Sequence, residues 1–251
     1  YDLAEKNNAD SVITGFYMEY YQNGKDVTYE TNCDDNVYTS EEFRLNAYKY
    51  LNKSILSLPW NKLYKSERII KENIRFPKTK WDDHHFNMDF FMNNGIVVTS
   101  SMKKYHWYRS RKGSETMINY SDPNMFNKRK EHFDHILKLY SHWNIKDENS
   151  IDSINCYYAG RLFQCVQELV DNKKITYKEK RSKVKEILND EQTIKSLKLA
   201  KTLSLKFKIL TFPMKIKSVS ISMFFGRIVS VVRRILPGLF IKLKEKEVHG
   251  K

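Results

Sequence analysis

Signals for β-strands stop at Pro123. Ahead of it, stretches that alternate at a period of two are interleaved with stretches at helical spacing. Behind it only the helical period remains, over about 125–143, 151–170, 177–188 and 193–204. Any sheet must be built from the first 122 residues, with helices among its strands. The expected class is α/β, a mixed sheet followed by a mainly α-helical C-terminal region. The segments run 1–122, 123–205 and 206–251. With 251 residues and 41% hydrophobic side chains, the chain has material for a sizeable core.

Local signals fill in this outline. "SVITGFYMEYYQNGKDVTYE" reads as strand, turn, strand. Val12, Thr14 and Phe16 alternate with Ile13 and Tyr17, and Asn23-Gly24 suits a hairpin turn. "YTSEEFRLNAYKYLNKS" reads as a helix opened by capping-box spacing at Thr39 and Glu42. Pro59 ends it, and Ser66 is placed to cap a short helix closing near Asn73. A helix from about Asp82 stops at Asn94-Gly95. "IVVTS" is then a short buried strand, and "KKYHWYRSRKGSE" a second strand running into a glycine loop. "YDLAEKNNAD" reads as the end of a helix, and the chain starts at Tyr1 without methionine, as expected of a piece of a longer protein. Cys33, Cys156 and Cys165 form no CxxC pair and read as small apolar fillers in a reducing compartment.

Charge is unevenly spread. Residues 172–251 carry 21 Lys+Arg against 6 Asp+Glu, while the first 171 carry 23 against 24. A neutral body with a basic tail points to an anionic partner. Within the tail, Ile221, Phe224, Phe225, Ile228, Val232 and Ile235 share one helical face, and Ser220, Arg227, Ser230 and Arg234 the other. Arginines interrupt the apolar run, so 219–236 is not a spanning helix. It suits a membrane interface, and equally an ordinary helix packed on the domain.

Three stretches could carry chemistry. In "KTKWDDHHFNMDFF", Asp82 and Asp83 fall on the first turn of a helix, where free N–H groups favour negative charge and lower a carboxylate's pKa. They read either as a helix cap or as a base for a substrate hydroxyl. A metal reading takes Asp82, His85 and Asp89 on one face, although His85 and Asp89 at i, i+4 also make an ordinary ion pair. In "YHWYRSRKGSE", Arg109 and Arg111 alternate onto one side, ahead of Gly113 and Ser114, and suit a diphosphate or a solvated strand edge. His106 is the remaining candidate metal contact. In "LPWNKLYKSERI", Trp60, Asn61 and Lys62 place an aromatic, an amide and an amine where they could line a sugar pocket.

Taken in order, "LPWNKLYKSERIIKENIRFP", "WDDHHFNMDFF", "IVVTS" and "YHWYRSRKGSE" resemble the family 2 glycosyltransferases of GT-A fold, most nearly bacterial enzymes that build capsular and exopolysaccharides. The resemblance covers about residues 1 to 120. It implies a partial GT-A, Rossmann-like domain contributing the acceptor side. The reaction implied is inverting transfer of a sugar from a nucleotide-sugar donor to the hydroxyl of a saccharide or lipid-linked acceptor. Asp83 falls on the family's base, with Asp82 in the preceding acidic slot. Arg109, Arg111 and Ser114 fall near the donor diphosphate, and Trp60, Asn61 and Lys62 border the acceptor cleft.

The family's nucleotide-binding half and aspartate-rich metal motif have no counterpart among these residues. A divalent cation, Mn or Mg, is therefore expected to be held mainly by residues outside this chain, which alone should be inactive. The motif carries Asp at its first acidic position where Glu is common. The basic tail implies a cytoplasmic enzyme peripheral on the inner face of the cell membrane, with no nucleic acid partner. Two competing readings are a non-catalytic membrane- or nucleic-acid-binding protein led by the tail, and a degenerate relative with a structural role.

Overall fold

A computed structural model describes residues 1–22, 25–51, 53–109, 122 and 124–238. Two compact units emerge, one of residues 1–110 with 132–150, the other of 111–131 with 151–247, each taken over its described residues.

The first unit is organised on β1 (Ser11–Gln22). Its second half pairs antiparallel with β2 (Lys25–Thr31), the hairpin expected around Asn23-Gly24, a dipeptide that lies outside the described residues. On the same side its first three residues pair antiparallel with β4 (Lys62–Tyr64). Its other side takes β5 (Val97–Tyr108) in parallel, and β3 (Asn36–Tyr38) closes the sheet antiparallel to β5. The result is the mixed five-stranded sheet, ordered β2-β1-β5-β3 with β4 beside β1, expected of a partial Rossmann-like domain.

The two strands expected from "IVVTS" and "KKYHWY" are one strand of 12 residues. The break suggested by the polar run Ser100–Lys104 is a register shift beside Gly15 rather than a loop. Gly15 is needed there: a Cβ would stand 2.4 Å from the Thr31 carbonyl oxygen.

The helices of this unit are short. α1 (Asp2–Lys6) precedes β1. α2 (Ser40–Asn46) begins with the expected capping box, Thr39 and Glu42 bonding reciprocally, but breaks at Ala47 before α3 (Tyr48–Leu51). α4 (Ser66–Lys71) is preceded by Lys65 without a side-chain cap, so Ser66 is its first residue and not its cap. α5 (Asp82–Met92) carries the buried residues Phe86, Met88, Phe90 and Phe91. The His132–His142 part of α6 (Met125–His142) also belongs here. Trp143 edges Phe43 and donates its indole N–H to the carbonyls of Phe91 and Met92, at 3.1 Å each.

The second unit is helical. It contains the start of α6, most of α7 (Glu148–Asp171), α8 (Tyr177–Asn189), α9 (Glu191–Leu199), α10 (Leu205–Lys215) and α11 (Val219–Ile235). Leu162, Val166, Val184, Ile187, Leu197 and Met214 are buried in its core. The helix expected over 193–204 ends at Leu199. α10 was not legible in the sequence because Pro213 lies inside it, withholding one backbone N–H near its end. Burial pushes the thiols of Cys33 and Cys165 up to about 12, as expected of buried fillers, while the half-buried Cys156, pushed up to about 11, bonds Asp152 and Thr202.

Candidate active site

The candidate site lies in the first unit, where the start of α5 meets the 55–61 loop and the far end of β5. Trp81 enters α5 in a left-handed conformation (φ 60°), so the helix starts abruptly and Asp82 and Asp83 occupy its first turn. Neither acid is an N-cap, since no side-chain cap bond forms at this terminus.

The lowered pKa expected for these acids does not hold for Asp83. Its carboxyl is held above the ordinary aspartate range, first by burial and then by the neighbouring Asp82 charge, with Lys62 pulling the other way. Partial burial next to a like charge outweighs the pull of the helix terminus. A carboxylate raised in this way is a better proton acceptor at neutral pH than an ordinary one.

A hydrogen-bonded frame holds Asp83 against the loop. Asn87, one turn along α5, donates its amide N–H to the Asp83 carbonyl (2.7 Å) and the Ser57 carbonyl (3.2 Å), and accepts from the Tyr64 hydroxyl (2.7 Å). His84 Nδ1 lies 3.2 Å from the Ser57 hydroxyl. The loop thus docks on α5 through Ser57 and returns through Asn61 and Lys62 into β4.

Asn61 and Lys62, expected to face an acceptor, turn their polar groups into the protein. Asn61 donates to the carbonyls of Thr14 (3.0 Å) and Ile55 (3.3 Å). The Lys62 ammonium donates to the carbonyls of Ile55 and Leu58 and to Asn61 Oδ1, which engages all three of its N–H groups. Burial pulls that ammonium well below the usual lysine range, opposed by Cys33 and by Asp83. Both residues therefore hold the loop that presents Trp60.

Trp60 heads an aromatic wall that sequence reasoning saw only in part. Its ring stacks on Tyr105 (4.1 Å, 18°), meets Phe16 edge-on (4.8 Å) and leans on Trp107 (5.3 Å). The Arg109 guanidinium sits 4.1 Å over Trp107. Tyr105 and Trp107 could have been found from strand alternation, which puts positions 105, 107 and 109 on one side of β5. Arg111 and Ser114 lie outside the described residues.

The histidines form a separate constellation. His135 from α6 stands between His85 and Asp89, with Nδ1 2.6 Å from His85 Nδ1 and Nε2 2.9 Å from Asp89 Oδ1. His132 meets His84 edge-on at 3.6 Å and stacks on Trp81 at 5.3 Å. The expected i, i+4 pairing of His85 with Asp89 is replaced by this inserted residue. The signal for it was the His132/His135 spacing on α6, which shares one helix face. His106 bonds Glu19 (2.7 Å) and stacks on Tyr17. Among the described residues no three or more His, Cys, Asp or Glu form a group able to hold a metal ion. The divalent cation implied by the resemblance finds no fitting site in them.

No family model matches the chain, and no curated protein matches it. Among solved structures it is similar to S. aureus TarS 1–349, determined in complex with UDP-GlcNAc. The TM-score is 0.49 and the identity 15%, over 89% of this chain and 60% of that one. No residue role is carried across from that likeness.

Proposed function

We propose that the first unit, residues 1–110 with 132–150, forms the acceptor side of an inverting glycosyltransferase, with Asp83 as the general base. One observation carries this reading: a half-buried carboxylate of raised pKa at the mouth of α5, joined through Ser57, Asn61 and Lys62 to an aromatic wall that an acceptor sugar can lie on. The ordered motifs shared with family 2 glycosyltransferases support it.

In this reading the acceptor lays its apolar sugar face on the outer side of the Trp60–Tyr105 stack and presents a hydroxyl to Asp83. Asp83 takes that hydroxyl's proton as the oxygen bonds to the anomeric carbon of the donor. The anomeric carbon–oxygen bond to the nucleoside diphosphate breaks, and the diphosphate leaves with the electron pair. Attack from the face opposite the leaving group inverts the configuration. Arg109, at the end of β5, adds positive charge near the departing diphosphate.

A nucleotide-sugar donor belongs to the same proposal; a divalent cation, which the resemblance implies, finds no fitting site among the described residues. A role in capsular or exopolysaccharide synthesis, with a saccharide or lipid-linked acceptor, follows from the resemblance and belongs to the same proposal.

Asp83→Asn tests the base directly. In the full-length protein, sugar transfer is expected to fall by about 10²- to 10⁴-fold. The thermal transition should be preserved, because the amide removes a disfavoured buried charge. Full activity in this variant would remove Asp83 as the base.

A further inference from the structure

The helices α10 and α11 of the second unit pack on each other, and each leaves large apolar residues exposed. A surface helix ordinarily buries its large apolar residues and shows solvent its small and polar ones. In α11 the buried residues are Ser222, Met223, Gly226 and Ser230, while Ile221, Phe224, Ile228 and Ile235 on the opposite side are exposed, Phe224 at 62%. The inward face is fixed by close approach, since a Cβ on Gly226 would already touch Gln167 Cα of α7 at 3.4 Å.

α10 is apolar on two faces: Thr211, Pro213 and Met214 are buried and Phe207 packs near Gly160 of α7. Leu205, Ile209, Phe212 and Ile216, spaced i, i+4, i+7 and i+11, form one exposed stripe, with Leu205 at 75% and Phe212 at 59%. Two neighbouring helices thus each carry an exposed apolar stripe that their own unit leaves uncovered.

The charge around these stripes selects what covers them. No Asp or Glu occurs between Glu191 and Glu245, while Lys206, Lys208, Lys215, Lys217 and Arg227 fall on or beside the two helices. Large apolar side chains on two helices that carry lysines and arginines but no acid match an anionic lipid interface, where hydrocarbon takes the stripes and headgroups take the lysines. Among the described residues no helix is long and apolar enough to cross a membrane.

We propose that α10 and α11 together dock this protein onto anionic bilayers, lying in the plane of the interface. The apolar anchor extends over Leu205–Ile216 as well as 219–236. This inference rests on the second unit alone and stands or falls independently of sugar transfer.

Sedimentation with vesicles tests it, comparing vesicles containing phosphatidylglycerol with vesicles of phosphatidylcholine alone. The full chain is expected to bind the anionic vesicles and to leave them as salt rises. Phe212→Asp/Phe224→Asp, at two exposed positions that cost the fold little, should bind at least about tenfold more weakly with an unchanged melting transition. Lys208→Gln/Lys215→Gln should lose about fivefold per charge removed. The proposal is overturned if the chain ignores anionic vesicles, or if the double aspartate variant binds like wild type. It is overturned equally if the phenylalanines instead sustain a dimer in solution by light scattering, or if the chain binds RNA and no vesicles.

Discussion

Asp83 and Asp82 sit side by side on one helical turn, and the geometry gives them different parts. Asp83 has its carboxyl raised by burial and by the Asp82 charge. Transfer requires Asp83 ionised, so activity rises with pH through its pKa, and the acid limb of the rate profile is expected above the ordinary aspartate value. Asp82→Asn removes one of the causes of that rise. It should move the acid limb to lower pH while leaving the rate at neutral pH within a few-fold, as a pH–rate profile of the variant would show. An acid limb that stays in place would mean that Asp82 does not act on Asp83.

Trp60 belongs to the same scale. Trp60→Ala removes the stack on Tyr105 and the platform for a sugar. It is expected to raise the KM for the acceptor by about 2- to 10-fold, the worth of one aromatic stacking contact, with a smaller change in kcat. An unchanged acceptor KM would place the acceptor elsewhere. The sequence exposed Trp60, Asn61 and Lys62 as a group but could not show that the amide and the amine are consumed within the loop. Local sequence reports residue type, and only the fold reports that the carbonyls of Ile55 and Leu58 surround Lys62.

At the scale of elements, the placement of α5 governs the site. His135 ties α5 to α6 by bonding both His85 and Asp89, and His132 packs on His84 and Trp81. His135→Ala removes both bonds and is expected to cost about 1–3 kcal/mol, seen as a lowered thermal transition. Because α5 carries Asp83, transfer should drop with it. A variant equally stable and equally active would show that α6 does not position the base helix.

Elements with local signals were readable in advance: the β1–β2 hairpin from its alternation, the α2 capping box from Thr39 and Glu42, and α5 from its apolar run. Those set by long-range partners were not. β5 reads as two strands because its polar middle is accommodated by a register shift opposite Gly15, 88 residues away in sequence from Lys103. α10 is hidden by Pro213, and the His85–His135–Asp89 relay needs two helices that meet only in the folded chain.

At the scale of the whole molecule, the chain divides its charge as it divides its architecture. The near-neutral first 171 residues hold the mixed sheet and the candidate site, and the basic remainder holds α10 and α11 with their exposed apolar stripes. The amphipathic pattern of 219–236 was plain in the sequence. Which face points outward was not, because periodicity defines two faces and only packing against Gln167 and Val170 tells which is inside. The central claim remains the chemistry at Asp83. Its most direct measurement is acceptor-dependent release of nucleoside diphosphate from a nucleotide-sugar, comparing the full-length wild type and Asp83→Asn, matched by thermal melting. The account predicts a loss of about 10²- to 10⁴-fold in the folded variant. Release at the wild-type rate by folded Asp83→Asn would contradict it.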